Sequence, residues 1–353
     1  MDEVRACRKR HVASDTVEFQ NLFVPPQCGG MEITMKVAVV GYGTIGRLHA
    51  AILQSKGTLS AVCDVDEVAL ATAPDVAHYT DYADMLERER PDAVHICTPH
   101  YLHAAMVIAA LERGIHVLCE KPLCIHEEEI NAILEAERKS TATLGVCMQN
   151  RYNGANQYVK EYLKDKKQIT GVGQVAWRRT AAYYESAAWR GKWATEGGGV
   201  LINQALHTLD LMQWLVGMPD EVIAQTACLT LADTVEVEDT ASIVCRGEHA
   251  FTFFATTTSA FDFPVSIQLN ADGKAVTLLP DKVLVGGECV AFGQNEFSYE
   301  RKACYGHGHE ALIADFYDCI ADGRHFAVDG TEGAKVIRLI LAAYRSAGKP
   351  VRI

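Results

Sequence analysis

From Met35 to about residue 150 the chain alternates short apolar runs with helix-like stretches. The runs are KVAVV (36–40), LSAVCD (59–64), DAVHIC (92–97), GIHVLCE (114–120) and LGVCM (144–148). Each is apolar at successive rather than alternate positions, the pattern of a strand covered on both faces. Segments such as YLHAAMVIAALERG separate them, so the order strand–helix–strand predicts a parallel sheet with crossover helices.

After about Tyr152 the pattern changes. A helical run at 153–166 is followed by GVGQVAWRRTA, and a glycine triplet at 197–199 opens an apolar helix to about 216. Between 220 and 293 come β-rich runs, including EVIAQTACL, ASIVCRG, AFTFFATTT and VSIQLN. Val265, Ile267 and Leu269 alternate with polar residues, which predicts an antiparallel sheet with unlike faces. From His309 the chain reads as two helices. Residues 1–34 show no period and are set apart as an N-terminal extension.

Composition narrows the function classes. A chain of 353 residues is long enough for two domains, and 49% hydrophobic with 22% charged residues is an ordinary soluble mixture. The formal charge of -12 argues against nucleic acid as a partner. No apolar stretch reaches the roughly 18 residues of a membrane span, and the basic N-terminus lacks the apolar segment of a secretory signal. Cys63, Cys97, Cys147 and Cys245 lie in apolar runs, and no CxxC pair occurs among the twelve cysteines. Cys119 and Cys124 lack further ligands at zinc spacing. Reduced thiols, a cytoplasmic location and no metal are expected.

Chemistry enters with Gly41, Gly43 and Gly46, a G-x-G-x-x-G loop containing Thr44 and Ile45, placed between the first strand and its helix. The first glycine permits a tight turn, the second a close backbone approach to pyrophosphate, and the third close packing of helix on strand. Free N–H groups at the helix N-terminus suit the phosphates. Asp64 ends the second strand, where a carboxylate accepts from ribose hydroxyls and repels a 2′-phosphate. NAD is therefore expected over NADP, with Arg47 assigned to a structural salt bridge. A Rossmann-type NAD-binding domain is placed at 35–152. Thr98, Pro99 and His100 close a strand at the ligand crevice, Glu120 and Lys121 follow the next strand, and Gln149 follows the last; all are candidate cofactor contacts.

GYGTIG, CTPHYLH, CEKPL and GGGVLINQALHTLD together resemble the glucose–fructose oxidoreductase / inositol dehydrogenase / MocA (Gfo/Idh/MocA) family across 35–353. The resemblance implies a second α/β domain, 153–353, with a large open, mostly antiparallel sheet serving substrate binding and oligomerisation. It also implies hydride transfer between NAD(P) and a secondary hydroxyl of a sugar, glycoside, sugar nucleotide or cyclitol. The family's EKP lysine falls on Lys121 and its helix histidine on His207; where the family often has Asp four residues earlier, this chain has Asn203. His207 suits the base, with an acid limb expected at roughly 6–7.5, and Lys121 suits the stabiliser of developing alkoxide.

Asn203 and His207, at i and i+4, would share a helix face; Asp210 either orients the His207 ring or is an exposed helix residue. Further candidate substrate contacts are Asn150, Arg151, Tyr184, Trp189 and Arg190, within a stretch that also holds Tyr183 and Trp193. His103 and His307 are weaker candidates for the same contacts, and a core or surface role suits them at least as well. The alternatives are an NAD-dependent glycosidase using redox-assisted elimination, a catalytically silent NAD-binding regulator, and an oxidoreductase with trapped cofactor. A homodimer or homotetramer is expected through the open sheet.

Overall fold

The computed structural model describes residues 35–280, 282–291 and 308–353. The expected extension at 1–34 and His307 lie outside these residues. The first part runs β1 (Val37–Val40), α1 (Thr44–Ser55), β2 (Leu59–Cys63), α2 (Glu67–Leu70), β3 (Ala77–Tyr79), α3 (Tyr82–Glu89), β4 (Ala93–Ile96), α4 (His103–Leu111), β5 (His116–Cys119), α5 (Glu127–Lys139) and β6 (Leu144–Val146). The six strands form a parallel sheet ordered β3-β2-β1-β4-β5-β6. Strands β1 and β4 are buried at every position, as continuous apolarity predicts. The order reverses between β1 and β4, so the crevice for a ligand opens at their carboxyl ends. Edge strand β3 was not anticipated, because AHY is short and only partly buried and pairs with β2 alone.

The second part runs α6 (Gly154–Leu163), β7 (Ile169–Ala176), α7 (Ala181–Glu185), α8 (Leu206–Val216), β8 (Glu221–Ala227), β9 (Thr240–Arg246), β10 (Ala250–Thr256), β11 (Ser266–Ala271), β12 (Lys274–Leu279), β13 (Lys282–Val285), β14 (Glu288–Ala291), α9 (Gly308–Asp322), α10 (Gly330–Ser346) and β15 (Val351–Arg352). Nine strands form one sheet, ordered β14-β13-β12-β11-β7-β10-β9-β8-β15. Pairing is antiparallel throughout except between β7 and β10. The fold is thus α/β, a Rossmann sheet followed by a large, mostly antiparallel one.

On one face of this sheet Ile243, Phe251, Phe253, Ile267 and Leu269 are buried. Helix α8 lies close there: a Cβ on Gly173 would come 2.9 Å from Met212. The opposite face exposes Val172, Val244 and Phe254. The two C-terminal helices were anticipated, and they tie the sheets together. A Cβ on Gly145 of β6 would lie 2.9 Å from both Phe316 and Phe326, and Val146 N donates to Val328 O at 2.8 Å. Helix α10 packs against both α5 and β8.

Candidate active site

The glycine loop uses its three glycines differently. Gly41 has φ +86°, and a Cβ there would lie 2.6 Å from Cys97 O. A Cβ on Gly46 would lie 1.8 Å from Gly41 O, so helix and strand can only close on glycine. A Cβ on Gly43 would meet nothing within 4 Å. That open ground lies before the exposed Thr44 at the N-terminus of α1, and Ile45 packs behind it against the core. Asp64 is half-buried, and its Oδ2 accepts from Tyr42 N at 2.5 Å while Oδ1 accepts from Asp66 N at 2.9 Å. These contacts fix a carboxylate beside the loop, and the whole donor set fits a dinucleotide. The salt bridge expected for Arg47 is not found among the described residues. Its guanidinium instead lies 4.6 Å from the centre of the Tyr42 ring.

His103 holds the neighbouring strand-end loops together, with Nδ1 2.6 Å from Pro122 O and Nε2 2.8 Å from Thr98 O. The Thr98 hydroxyl reaches Met106 Sδ at 3.5 Å. Beyond Pro99, His100 is buried, with Nδ1 2.8 Å from Glu196 O and its ring 4.7 Å from that of Trp189. Glu120 is engaged within the protein: Oε1 lies 3.1 Å from His49 and 3.5 Å from His309, and Oε2 accepts from Lys121 N at 3.1 Å. Burial pushes its carboxyl up, but His309 and His49 outweigh this and hold it well below the usual range. We expected a cofactor contact from Glu120; its oxygens instead support the loop that carries Lys121.

Behind Glu120 lies a buried group that spacing did not reveal. His49, Glu120, Cys147 and His309 bring ligand-type atoms within 4.8 Å of one another. His49 Nδ1 is 2.9 Å from His95 Nδ1, and His95 Nε2 is 2.8 Å from the Tyr317 hydroxyl. Cys119 and Cys124, the pair weighed against zinc spacing, are not among these four residues. His49, three residues after Gly46, was the available signal, one helical turn into α1.

Lys121, Asn150, Asn203 and His207 line one cavity with Tyr183 of the aromatic stretch, and Asn153, Asn156, Trp177, Arg179 and Gln204, which no motif marks, join them. Lys121 Nζ donates to both Asn203 O and Asn203 Oδ1 at 3.1 Å. Burial lowers the Lys121 pKa, against the opposing pull of Glu120 and Glu196. His207 Nε2 lies 3.1 Å from Gln149 Nε2, so Gln149, expected at the cofactor, meets the candidate base. Burial first, then the Lys121 charge, brings the His207 pKa down to about 3. With that shift, an acid limb from His207 falls below the 6–7.5 expected from the sequence.

Four expectations about the surroundings are corrected. Asn203 does not sit on the His207 helix: α8 begins at Leu206, and residues 200–204 are turns. Both side chains still reach the cavity. Asp210 neither orients His207 nor is exposed. It is buried in a two-pronged pair with Arg151, Nε to Oδ2 at 2.8 Å and Nη2 to Oδ1 at 2.7 Å. Arg151, expected at the substrate, also reaches Glu332 at 3.1 Å, and this ion network occupies it as a structural tie. Tyr184 is buried with Leu231, Val235 and Val237, and its neighbour Tyr183 faces the cavity. Arg190 covers the Tyr183 ring at 4.3 Å and the Trp189 ring at 4.9 Å, and hydrogen-bonds the Tyr183 hydroxyl. Trp193 donates to Glu236 O at 2.8 Å and stands edge-on to Tyr344.

Glycine loop, lysine turn and histidine cavity define an NAD-dependent oxidoreductase acting on CH–OH groups. Residues 35–148 match the model of the oxidoreductase family with an NAD-binding Rossmann fold, and residues 163–274 match the Gfo/Idh/MocA C-terminal domain. The chain belongs to the Gfo/Idh/MocA family. It is 23% identical to the D-glucoside 3-dehydrogenase of Escherichia coli (strain K12) over 349 residues, 90% of this chain and 97% of that one. The structure of the WlbA dehydrogenase from Bordetella pertussis with NADH and UDP-GlcNAcA is similar at TM-score 0.78 and 28% identity, covering 91% of this chain and 99% of that one. Levoglucosan dehydrogenase, solved with NADH and levoglucosan, shares the fold at TM-score 0.79 and 21% identity, over 90% of this chain and 99% of the other. Among the described residues no helix is long and apolar enough to cross a membrane.

Proposed function

We propose that the chain oxidises a secondary hydroxyl on a polyhydroxylated ring of the sugar, glycoside, sugar-nucleotide or cyclitol type. One observation carries this reading. Asn150 Oδ1, Asn153 Oδ1, Gln204 Oε1 and His207 Nδ1 are buried at the cavity and have no hydrogen-bond partner among the described residues. A buried acceptor left unpaired costs about 1–3 kcal/mol, so a ligand presenting several O–H groups gains from each. Trp177 and Tyr183 line the same cavity. The neighbours named above, proteins acting on or bound to carbohydrates, support the same class.

When bound, the nicotinamide supplies the hydride acceptor. Gly41, Gly43, Thr44, Gly46 and Asp64 would hold the dinucleotide, and the Asp64 carboxylate supports NAD over NADP. Lys121 Nζ keeps one N–H beyond those given to Asn203, and it stabilises negative charge on the alcohol oxygen. His207 takes the proton. An amide oxygen of Gln149 turned toward Nε2 accepts its hydrogen and leaves the Nδ1 lone pair for the substrate. Gln149 thus selects the tautomer.

Three further parts belong to this proposal. The division at 152/153 is supported by the two sheets, which lie on either side of it. A homodimer or homotetramer through the sheet face bearing Val172, Val244 and Phe254 is supported by their exposure. The buried thiols of Cys63, Cys97, Cys119, Cys124, Cys147 and Cys245, none of them in a disulfide, support a cytoplasmic location. The test of function is a panel of glycosides, sugar nucleotides and inositols incubated with NAD. Substrate-dependent NADH with a keto-sugar product supports the reading. Free sugar released without NADH build-up indicates redox-assisted elimination, and a panel with no turnover at all indicates a silent NAD-binding regulator.

A further inference from the structure

Glu196 is completely buried beside the glycine triplet. Its Oε2 accepts from Gly191 N at 2.5 Å and its Oε1 from Asn203 Nδ2 at 2.5 Å. The other end of the same amide, Asn203 Oδ1, accepts from Lys121 Nζ at 3.1 Å. A carboxylate only accepts and an ammonium only donates. The amide between them therefore has one orientation that satisfies both neighbours, with Nδ2 toward Glu196 and Oδ1 toward Lys121.

We propose that Glu196 is a positioning residue for alcohol oxidation, acting through Asn203 to aim the Lys121 ammonium at the substrate oxygen. The inference rests on the role given to Lys121 above. Two of the three Nζ hydrogens are held by Asn203 O and Oδ1, so the third is directed by elimination. A carboxylate in direct contact with Lys121 would fix the ammonium too. What alignment requires is one acceptor facing Nζ with a satisfied partner behind it, and the Glu196–Asn203 pair supplies both. Glu120, Arg190, Cys147, His207, His100 and His103 are the other titratable groups that interact electrostatically with Lys121, and Glu120 and Glu196 both favour its charged form.

The geometry makes an exchange experiment possible. In Glu196→Gln the new amide cannot accept from both Gly191 N and Asn203 Nδ2. If its NH2 faces Asn203, that amide turns over and presents Nδ2 to the Lys121 ammonium, donor against donor. Asn203→Asp alone sets two carboxylates against each other. The double variant, Glu196→Gln with Asn203→Asp, restores complementarity. Its amide at position 196 accepts from Gly191 N and donates to the carboxylate now at position 203, whose second oxygen accepts from Lys121. We expect kcat to fall about tenfold or more in each single variant, in line with losing an aligned donor. KM for NAD should stay within about twofold, and the double variant should recover most of the lost kcat. A structural role alone would lower the melting temperature and raise KM for NAD along with the loss of kcat, and would leave the Lys121 labelling rate unchanged.

A second readout does not depend on turnover. The labelling rate of Lys121 by an amine-reactive reagent, followed by mass spectrometry near neutral pH, reports how much of it is deprotonated. It should rise several-fold in Glu196→Gln, where a charge favouring ammonium is gone, and return toward wild type in the double variant. Wild-type kcat in Glu196→Gln, or a double variant no better than either single one in both readouts, overturns the inference. Recovered labelling in a protein whose wild type turns over no substrate would keep the relay and instead sink the proposed function.

Discussion

The chain carries two glycine clusters at its active centre, and they are used in opposite ways. In the Gly41–Gly46 loop two glycines are closed in by the chain's own backbone and the middle one, Gly43, opens on free space. In the 197–199 triplet every Cβ position is blocked by protein. A Cβ on Gly197 would lie 2.5 Å from Ile125, on Gly198 2.0 Å from the Tyr344 hydroxyl, and on Gly199 1.8 Å from Glu238 O. Buried Glu238 also accepts from Gly199 N at 2.9 Å, Leu201 N at 3.0 Å and the Tyr344 hydroxyl at 2.9 Å. The first cluster makes room for a ligand; the second makes room for the protein to bring Glu196, Asn203 and His207 to Lys121. Glycine content alone does not distinguish them, whereas what lies in front of each missing Cβ does.

The largest effect should come from breaking that contrast directly. Gly199→Ala forces a Cβ into a backbone carbonyl and should cost about 3 kcal/mol or more of stability. Gly43→Ala, with φ -75° and open surroundings, should leave Tm nearly unchanged and raise KM for NAD about tenfold. Thermal melts with NAD titrations separate the two. Equal Tm losses would mean that the loops are not used differently.

Next in size is the residue that the second cluster delivers. His207→Ala should lower kcat by about 10²-fold, a typical general-base contribution, with KM for NAD little changed. The matching residue beside the first cluster is Asp64. Asp64→Ala should shift the NAD/NADP ratio of kcat/KM by about tenfold toward NADP, an effect on cofactor choice rather than on the chemical step. An unchanged ratio removes Asp64 from cofactor selection.

The smallest effect is shared by both regions and is read by pH. Burial holds His95 and His100 well below the usual histidine range and His207 at about 3. The unfolded chain binds protons on these groups below about pH 6.5 while the folded chain does not. Stability should therefore fall as pH drops below about 6.5, with a gentler slope in His207→Gln, measured by urea unfolding. The pH profile of kcat/KM should lack a His207 limb near neutrality. A limb near 7 that disappears in Glu238→Gln would instead identify Glu238, whose carboxyl burial pushes up to about 7.

The legibility of the sequence follows the same division. The nucleotide loop, its strands and Asp64 are encoded by local spacing, and the six-stranded sheet was readable from continuous apolar runs except at β3. The catalytic cavity is built from segments far apart in the chain. Lys121 and His207 were recognisable through the family resemblance, whereas Glu196, Arg179 and Asn153 gain meaning only when the chain is folded. Tyr183 and Tyr184 stand side by side in a five-residue helix, too short for a period to say which one faces the cavity. Arg151 follows a strand end as a ligand-binding cation would, but its partners Asp210 and Glu332 come from distant helices. Such pairings leave no trace in spacing.

The most direct test of the central claim follows one hydrogen. With a substrate from the NADH-positive panel deuterated at the carbinol carbon, the account predicts deuterium in the NADH formed, a primary isotope effect on the chemical step, and labelled product formed about 10²-fold more slowly by His207→Ala. NADH that carries no deuterium, or a labelled product formed at the wild-type rate by His207→Ala, would contradict it.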